Sequence, residues 1–330
     1  MATSQSAIAA LLNERDLFEL LPAHGKVVTL DADLPMKHAL DALASHSATC
    51  LPVWDSYQQR FVDVFTCADL VDIVLYTHRA LDGSTNMSEA DGGATQGEAQ
   101  SAIERCQLRD LHGLKRSKPS GFVMASVDDS LYHGCVMLRQ HRLECLPLGE
   151  TSSSTSLLHL LLPEQLLAFI VATPEVQRAA PQLFSATLEE TILPHCATPP
   201  SVVPETSLSV ALGMLSERQF QAVPVVDASG ALLDVLTNRD VRHLATHSHT
   251  DNLTTLIKDS LRSLPQSPPR VHMCSPSDSL GSAIQRLANA EVGQLVCMQG
   301  SAIRAIITSS DLLACLLEPA GAAGSVATME

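Results

Sequence analysis

An α/β fold built from four copies of one β-α-β-β-α unit, arranged as two pseudo-twofold pairs, is predicted by three features of this 330-residue chain. The first is a repeated spacing. Leu131 precedes Pro147, Leu208 precedes Pro224 and Leu280 precedes Val296, each by 16 residues, while Leu34 precedes Pro52 by 18. A fixed period of this kind marks a chain assembled from one supersecondary unit. The second is the helical periodicity that follows each leading leucine, carried by Leu40, Leu43 and Ala44, by Ala211, Leu212 and Leu215, and by Ala283, Ile284, Leu287 and Ala288. The third is a Thr-x-x-Asp helix start after a further strand, at Thr66–Asp69, Thr237–Asp240 and Thr308–Asp311. The second copy carries Leu162-Pro163-Glu164-Gln165 there. A unit that covers only half of its sheet cannot bury that face alone, so pairing of copies is required.

In chain order, the pattern predicts a lead-in helix over 1–23 and copy 1 over 24–80, followed by a flexible insertion over 81–102 rich in Gly, Ser, Ala and acid. Copy 2 spans 103–172, a linker 173–192, copy 3 193–248 and copy 4 249–318, with a disordered tail over 319–330. In copy 3, Asp227-Ala228-Ser229-Gly230 reads as the hairpin turn between two strands. Residues 84–100 lack apolar periodicity, so their deletion is expected to leave the melting temperature within a few degrees; a larger fall would show the segment to be structural.

Composition narrows the function. A formal charge of −15 disfavours nucleic acid and anionic membranes, which need a positive field. Nine cysteines stand singly at Cys50, Cys67, Cys106, Cys135, Cys145, Cys196, Cys274, Cys297 and Cys315, without a C-x-x-C pair. That pattern suits free thiols in a reducing compartment, and predicts neither a disulfide framework nor a zinc site. Met1–Leu12 has no basic stretch and soon meets Asn13-Glu14-Arg15-Asp16, so no signal peptide is expected. The location expected is cytosolic, with the nucleus open to it. No phosphate-loop, dinucleotide or nucleophile-elbow motif occurs, and no catalytic residue is assigned. His243, His247 and His249 could place two imidazoles on one helical face, but a solvated helix end is the reading preferred to a metal pair. Cys145 and Cys274 lack an activating base and read as packing thiols.

The order strand, helix, Pro-bearing strand, strand, T-x-x-D helix resembles a CBS repeat. Closer likeness lies in Val210-Ala211-Leu212-Gly213, Ala222-Val223-Pro224-Val225-Val226-Asp227, Leu233-Asp234-Val235 and His249-Thr250-Asp251-Asn252-Leu253. With Pro52-Val53-Trp54-Asp55-Ser56, Ser310-Asp311-Leu312-Leu313 and Asp16-Leu17-Phe18-Glu19-Leu20-Leu21-Pro22, the chain resembles the gamma subunits of AMP-activated protein kinase over about residues 15–318. The resemblance implies a regulatory subunit without kinase activity. It implies catalytic alpha and scaffolding beta partners in a heterotrimer, and AMP, ADP or ATP as ligands without a metal. The alternative is a stand-alone CBS protein that binds an adenosyl ligand and regulates another enzyme or transporter.

In that family the aspartate at the start of the second helix accepts both ribose hydroxyls, a task suited to an acceptor-only carboxylate. The matching residues are Asp69, Asp240 and Asp311; Gln165 breaks the pattern in copy 2. Thr237, Thr308 and Ser310 are the expected hydroxyl partners. The same Thr-x-x-Asp also makes a helix cap, and that role competes with ribose recognition. The basic residues expected around the phosphates are missing. Thr49 replaces an Arg, Glu144-Cys145 and Gly293-Gln294 replace His-Arg pairs, and Asn238 and Glu164 stand where lysines would. Arg239 and Arg270, with Arg218 and Arg262, could substitute only in part. Weak, AMP-biased binding follows.

Overall fold

A computed structural model describes residues 2–81, 107–109, 122–151, 155–217, 221–246, 253–265, 269–290 and 292–317. The insertion, the tail, His247, His249 and Arg218 lie outside these residues. Helix α1 (Ala2–Asn13) precedes copy 1, which comprises β1 (Leu30–Asp31), α2 (Met36–Ser45), β2 (Cys50–Asp55), β3 (Arg60–Thr66) and α3 (Cys67–Leu81). Copy 2 follows as β4 (Ala125–Ser126), α4 (Leu131–Gln140), β5 (Leu146–Gly149), β6 (His159–Leu161) and α5 (Pro163–Ala172). Three short helices come next, α6 (Pro174–Ala179), α7 (Pro181–Ser185) and α8 (Leu188–Thr191). Copy 3 contains α9 (Leu208–Glu217), β7 (Ala222–Val226), β8 (Leu232–Thr237) and α10 (Asn238–Thr246). After α11 (Ile257–Arg262), copy 4 contains β9 (Met273–Cys274), α12 (Leu280–Ala290), β10 (Gln294–Gln299), β11 (Ala302–Thr308) and α13 (Ser309–Leu317).

Each sheet has the same register. The proline-bearing strand pairs antiparallel with the strand after it, matching Pro52 with Val64, Pro147 with Leu160, Pro224 with Val235, and Val296 with Ile306. A short parallel segment flanks its other edge. Proline has no N–H, so it is tolerated only where the neighbour asks for none. Copy 4 shows the converse: Val296 N donates to His272 O at 2.8 Å, a bond proline could not make. The hairpin read from Asp227 to Gly230 is present, with Gly230 at φ 84 and Asp227 Oδ1 accepting from Ser229 N, Ser229 Oγ and Ala231 N. Those donors hold the Asp227 carboxyl below its usual range, the Ser229 hydroxyl contributing most.

Pairing of the copies rests on exchanged leading segments. Leu17 N donates to Asp129 O and Leu131 N to Arg15 O, so the lead-in of copy 1 docks on copy 2. Leu108 N donates to Leu34 O in return, placing the lead-in of copy 2 on copy 1. Copies 3 and 4 repeat the exchange through Leu188 N to Asp278 O and Ile257 N to Thr206 O. The two pseudo-twofold pairs are therefore 1 with 2 and 3 with 4. The segment 173–192, expected as a linker, is helical. Its Val176, Ala180, Leu183 and Leu188 are buried, because it serves as the lead-in of the second pair.

The helices add a second set of contacts that cross between pairs. α3 packs on α9 and α10, joining copies 1 and 3, while α5 packs on α12 and α13, joining copies 2 and 4. Two main cores result, each drawn from both halves of the chain. Helix α1 seats Ile8 and Leu12 in the copy 2–copy 4 core, where Leu17 also lies. A Cβ on Gly134 would lie 2.7 Å from Leu17 Cδ2. Gly134→Val is accordingly expected to cost about 1–3 kcal/mol by overpacking, read as a lower urea midpoint at unchanged slope. Among the described residues no helix is long and apolar enough to cross a membrane.

Candidate functional site

Four equivalent positions meet at the centre of the molecule. Each copy contributes the residue three before its proline (or, in copy 4, Val296), namely Thr49, Glu144, Gln221 and Gly293. Each also contributes the first residue of its second helix: Cys67, Pro163, Asn238 and Ser309. In three copies the two positions are tied by a backbone bond, from Cys67 N to Thr49 O, Asn238 N to Gln221 O and Ser309 N to Gly293 O, at 3.0–3.3 Å. Copy 2 has Pro163, which has no N–H to donate. These residues, with Leu143, Glu164, Thr237, Arg239, Gln294 and Ser310, line an open cavity of about 540 Å³ of empty space, part of which is open solvent.

The cavity gathers Thr49, Glu144, Glu164, Asn238, Gly293 and Gln294, the positions at which the sequence departs from a basic lining. Among the described residues that line it, the carboxylates of Glu144 and Glu164 stand against the guanidinium of Arg239. Glu164 is buried and forms an ion pair with Arg239. Cys67 lies in the same wall, its thiol pushed up to about 12 by burial, with Glu144 adding to the shift and the guanidinium groups of Arg242 and Arg239 opposing it. Burial likewise pushes the Cys135 and Cys196 thiols up to about 12, and the Cys274 thiol is also raised, chiefly by its hydrogen bond with Cys297. Cys145 is buried. No group of His, Cys, Asp and Glu fit to hold a metal ion occurs among the described residues, and His243 contacts Arg242.

Of the candidate ribose and phosphate residues, Thr237, Arg239 and Ser310 line the cavity. Asp69, Asp240 and Asp311 stand one turn into their helices, each closing a reciprocal cap. Oδ2 of each aspartate accepts from the backbone N–H and hydroxyl of its threonine, at 2.7–3.1 Å, and the aspartate N–H donates back to that hydroxyl. In copy 2 the Gln165 side chain keeps half of this device, accepting from Leu162 N at 3.0 Å. The capping role that competes with ribose recognition is thus fully built. Arg270 is held away from the cavity: it donates to Asp240 Oδ2 at 3.0 Å and Val235 O at 2.9 Å, and lies 3.5 Å from Asp234. Asp240 is so enclosed that burial raises its carboxyl pKa despite that guanidinium and the Thr237 hydrogen bonds. Arg262 pairs with Asp259 at the surface. Sequence reasoning missed the Glu164–Arg239 pair, whose partners stand 75 residues apart in different copies.

Losing the cap at Asp311 is expected to cost about 1 kcal/mol. If the carboxylate also holds a ribose, Asp311→Ala weakens binding by a further charged hydrogen bond, about 1.5–3 kcal/mol. Melting temperature and affinity measured on the same variant separate the two.

The CBS domain family matches residues 14–76 and 195–247, and the structure repeats the same β-α-β-β-α unit four times. The chain is related along nearly its whole length to gamma subunits of AMP-activated protein kinase. It is 28% identical over 308 residues to the "5'-AMP-activated protein kinase subunit gamma" of Dictyostelium discoideum, covering 91% of this chain and 51% of that protein. It is 27% identical over 313 residues to human subunit gamma-3, covering 94% and 60%. The chain thus spans about half to three-fifths of the length of these relatives. The fold matches the crystal structure of a Methanocaldococcus jannaschii protein described as a candidate archaeal homologue of this gamma subunit. Its TM-score is 0.67 at 14% identity, covering 90% of this chain and 98% of that one.

Proposed function

We propose that this chain is a gamma-type regulatory subunit of an energy-sensing, AMP-activated kinase assembly, without catalytic activity of its own. The carrying observation is sequence relationship to gamma subunits over 91% of the chain, joined to a four-copy fold closed around one central cavity. Its partners are a catalytic alpha-type and a scaffolding beta-type subunit, and its ligands are adenine nucleotides. Carboxylates stand at three of the four ribose-type positions, while the described residues lining the cavity that would take phosphates carry more acid than base. The nucleotide role is therefore weak and biased to AMP over ATP.

The test is native co-purification from cells expressing the tagged chain at its natural level. A kinase catalytic subunit and a beta-type subunit are expected in near-equal amounts. Recovery of the chain alone, or only with a transporter or a metabolic enzyme, overturns the reading.

A further inference from the structure

The central cavity carries a positive field that its own chain neutralises. The N-termini of α3, α5, α10 and α13, helices of 15, 10, 9 and 9 residues, all open onto it. Each presents the positive end of its dipole; Asp69, Asp240 and Asp311 cap three of them, and α5, which has no such aspartate, favours an anion of its own. That anion is already there. Glu164, in the first turn of α5, is 8% exposed and reaches across to Arg239 in the first turn of α10. Room for the pair is made by the fourth copy. A Cβ on Gly293 would stand 3.1 Å from Glu164 Oε1 and 3.3 Å from Arg239 Nη2, so a larger residue would require the pair to give way by a few tenths of an ångström. Carboxylate, guanidinium and glycine thus come from copies 2, 3 and 4 and meet at one point.

We propose that the Glu164 carboxylate is a tethered anion that occupies the place of a diffusible phosphate and holds the junction of copies 2, 3 and 4 without a ligand. A second anion entering beside Glu164 and Glu144 would meet like charge in a partly desolvated site, which disfavours it. Arg239 would have to leave its carboxylate to receive the newcomer. The cavity therefore disfavours phosphate by charge, whether the phosphate is inorganic or carried by a nucleoside, which is why nucleotide binding is weak. This deepens the nucleotide part of the proposed function and does not depend on the kinase partners, so a failed co-purification leaves it standing.

The test uses the full-length protein with inorganic phosphate and, in parallel, AMP, against sodium chloride at matched ionic strength. Wild type is expected to show no phosphate-specific rise in melting temperature. Glu164→Gln removes the carboxylate that Arg239 pairs with and is expected to bind phosphate roughly tenfold or more tighter than wild type, the weight of one charge-assisted contact. Glu164→Gln with Arg239→Gln is expected to lose that gain. Glu164→Asp, which keeps the charge but withdraws it by one methylene, guards against a glutamine variant that does not fold, and is expected to show a smaller gain of the same sign. Equal phosphate binding by wild type and Glu164→Gln overturns the proposal, as does a folded variant with no gain.

Discussion

Residues 1–172 expressed alone are expected not to reach a native, cooperatively folded state. The helices of copies 1 and 2 bury their apolar faces against copies 3 and 4, not chiefly against each other. Removal of the second half strips cover from Leu166, Leu167 and Ile170, each fully buried in the core shared with Ala283, Ile284 and Leu287. The first core loses Leu208, Ala211, Leu212 and Val241 in the same way. Burying one such aliphatic side chain contributes about 1.5–3 kcal/mol. Half a dozen therefore approach the 5–15 kcal/mol or so of net stability that a folded protein has at all. Near-ultraviolet circular dichroism and gel filtration of the fragment check this. A compact monomer with a sharp thermal transition would show that the cross-pair cores are dispensable.

Arg270→Ala is expected to be the most damaging single change among the charged residues. The guanidinium and the Asp240 carboxylate retain only 13% and 15% of their side-chain exposure, and Arg270 also satisfies Val235 O. Its removal leaves a buried carboxylate held by the Thr237 N–H and hydroxyl. Breaking a buried pair by deleting one partner costs about 3–5 kcal/mol, and the residual exposure argues for about 3. A pH signature separates this cause from a packing defect. The folded-state pKa of Asp240 is already raised by burial, and loss of Arg270 raises it further. A carboxyl with a raised folded pKa destabilises the fold in its ionised form, and that cost disappears as the pH falls below its unfolded value near 3.8. The deficit of the variant should be largest at neutral pH and shrink towards acid, and Asp240→Asn in the same chain should restore part of it. A deficit independent of pH would assign the loss to packing.

Much of this architecture was legible in the chain because it rests on local chemistry. The Thr-x-x-Asp starts, the turn at Asp227–Gly230 and the strand prolines are each decided within a few residues, and copies in register reinforce one another. Even the departure at Val296 was visible, although its reason, the N–H given to His272 O, needed the parallel neighbour in place. The substituted cavity positions could be named as well, since each sits at a fixed offset from a strand proline or a helix start. What stayed hidden was tertiary. Nothing near Glu164 in sequence announces Arg239, and nothing near Arg270 announces Asp240, 30 residues upstream. Pairing α3 with copy 3 and α5 with copy 4 required knowing which apolar faces the leading segments had already covered. Residues 173–192 read as a connection because each of their helices is too short for a periodic signal.

Calorimetric titration of AMP and of ATP into the purified assembly, with the bound species identified by mass, tests the account most directly. Candidate ribose carboxylates beside a cavity in which Arg239 is already paired with Glu164 predict AMP binding weaker than about 1 μM, and ATP binding no tighter than AMP. Sub-micromolar ATP binding to the wild-type chain would contradict it, because the phosphates would then have to be held beside the Glu164 and Glu144 carboxylates, with the Arg239 guanidinium already paired.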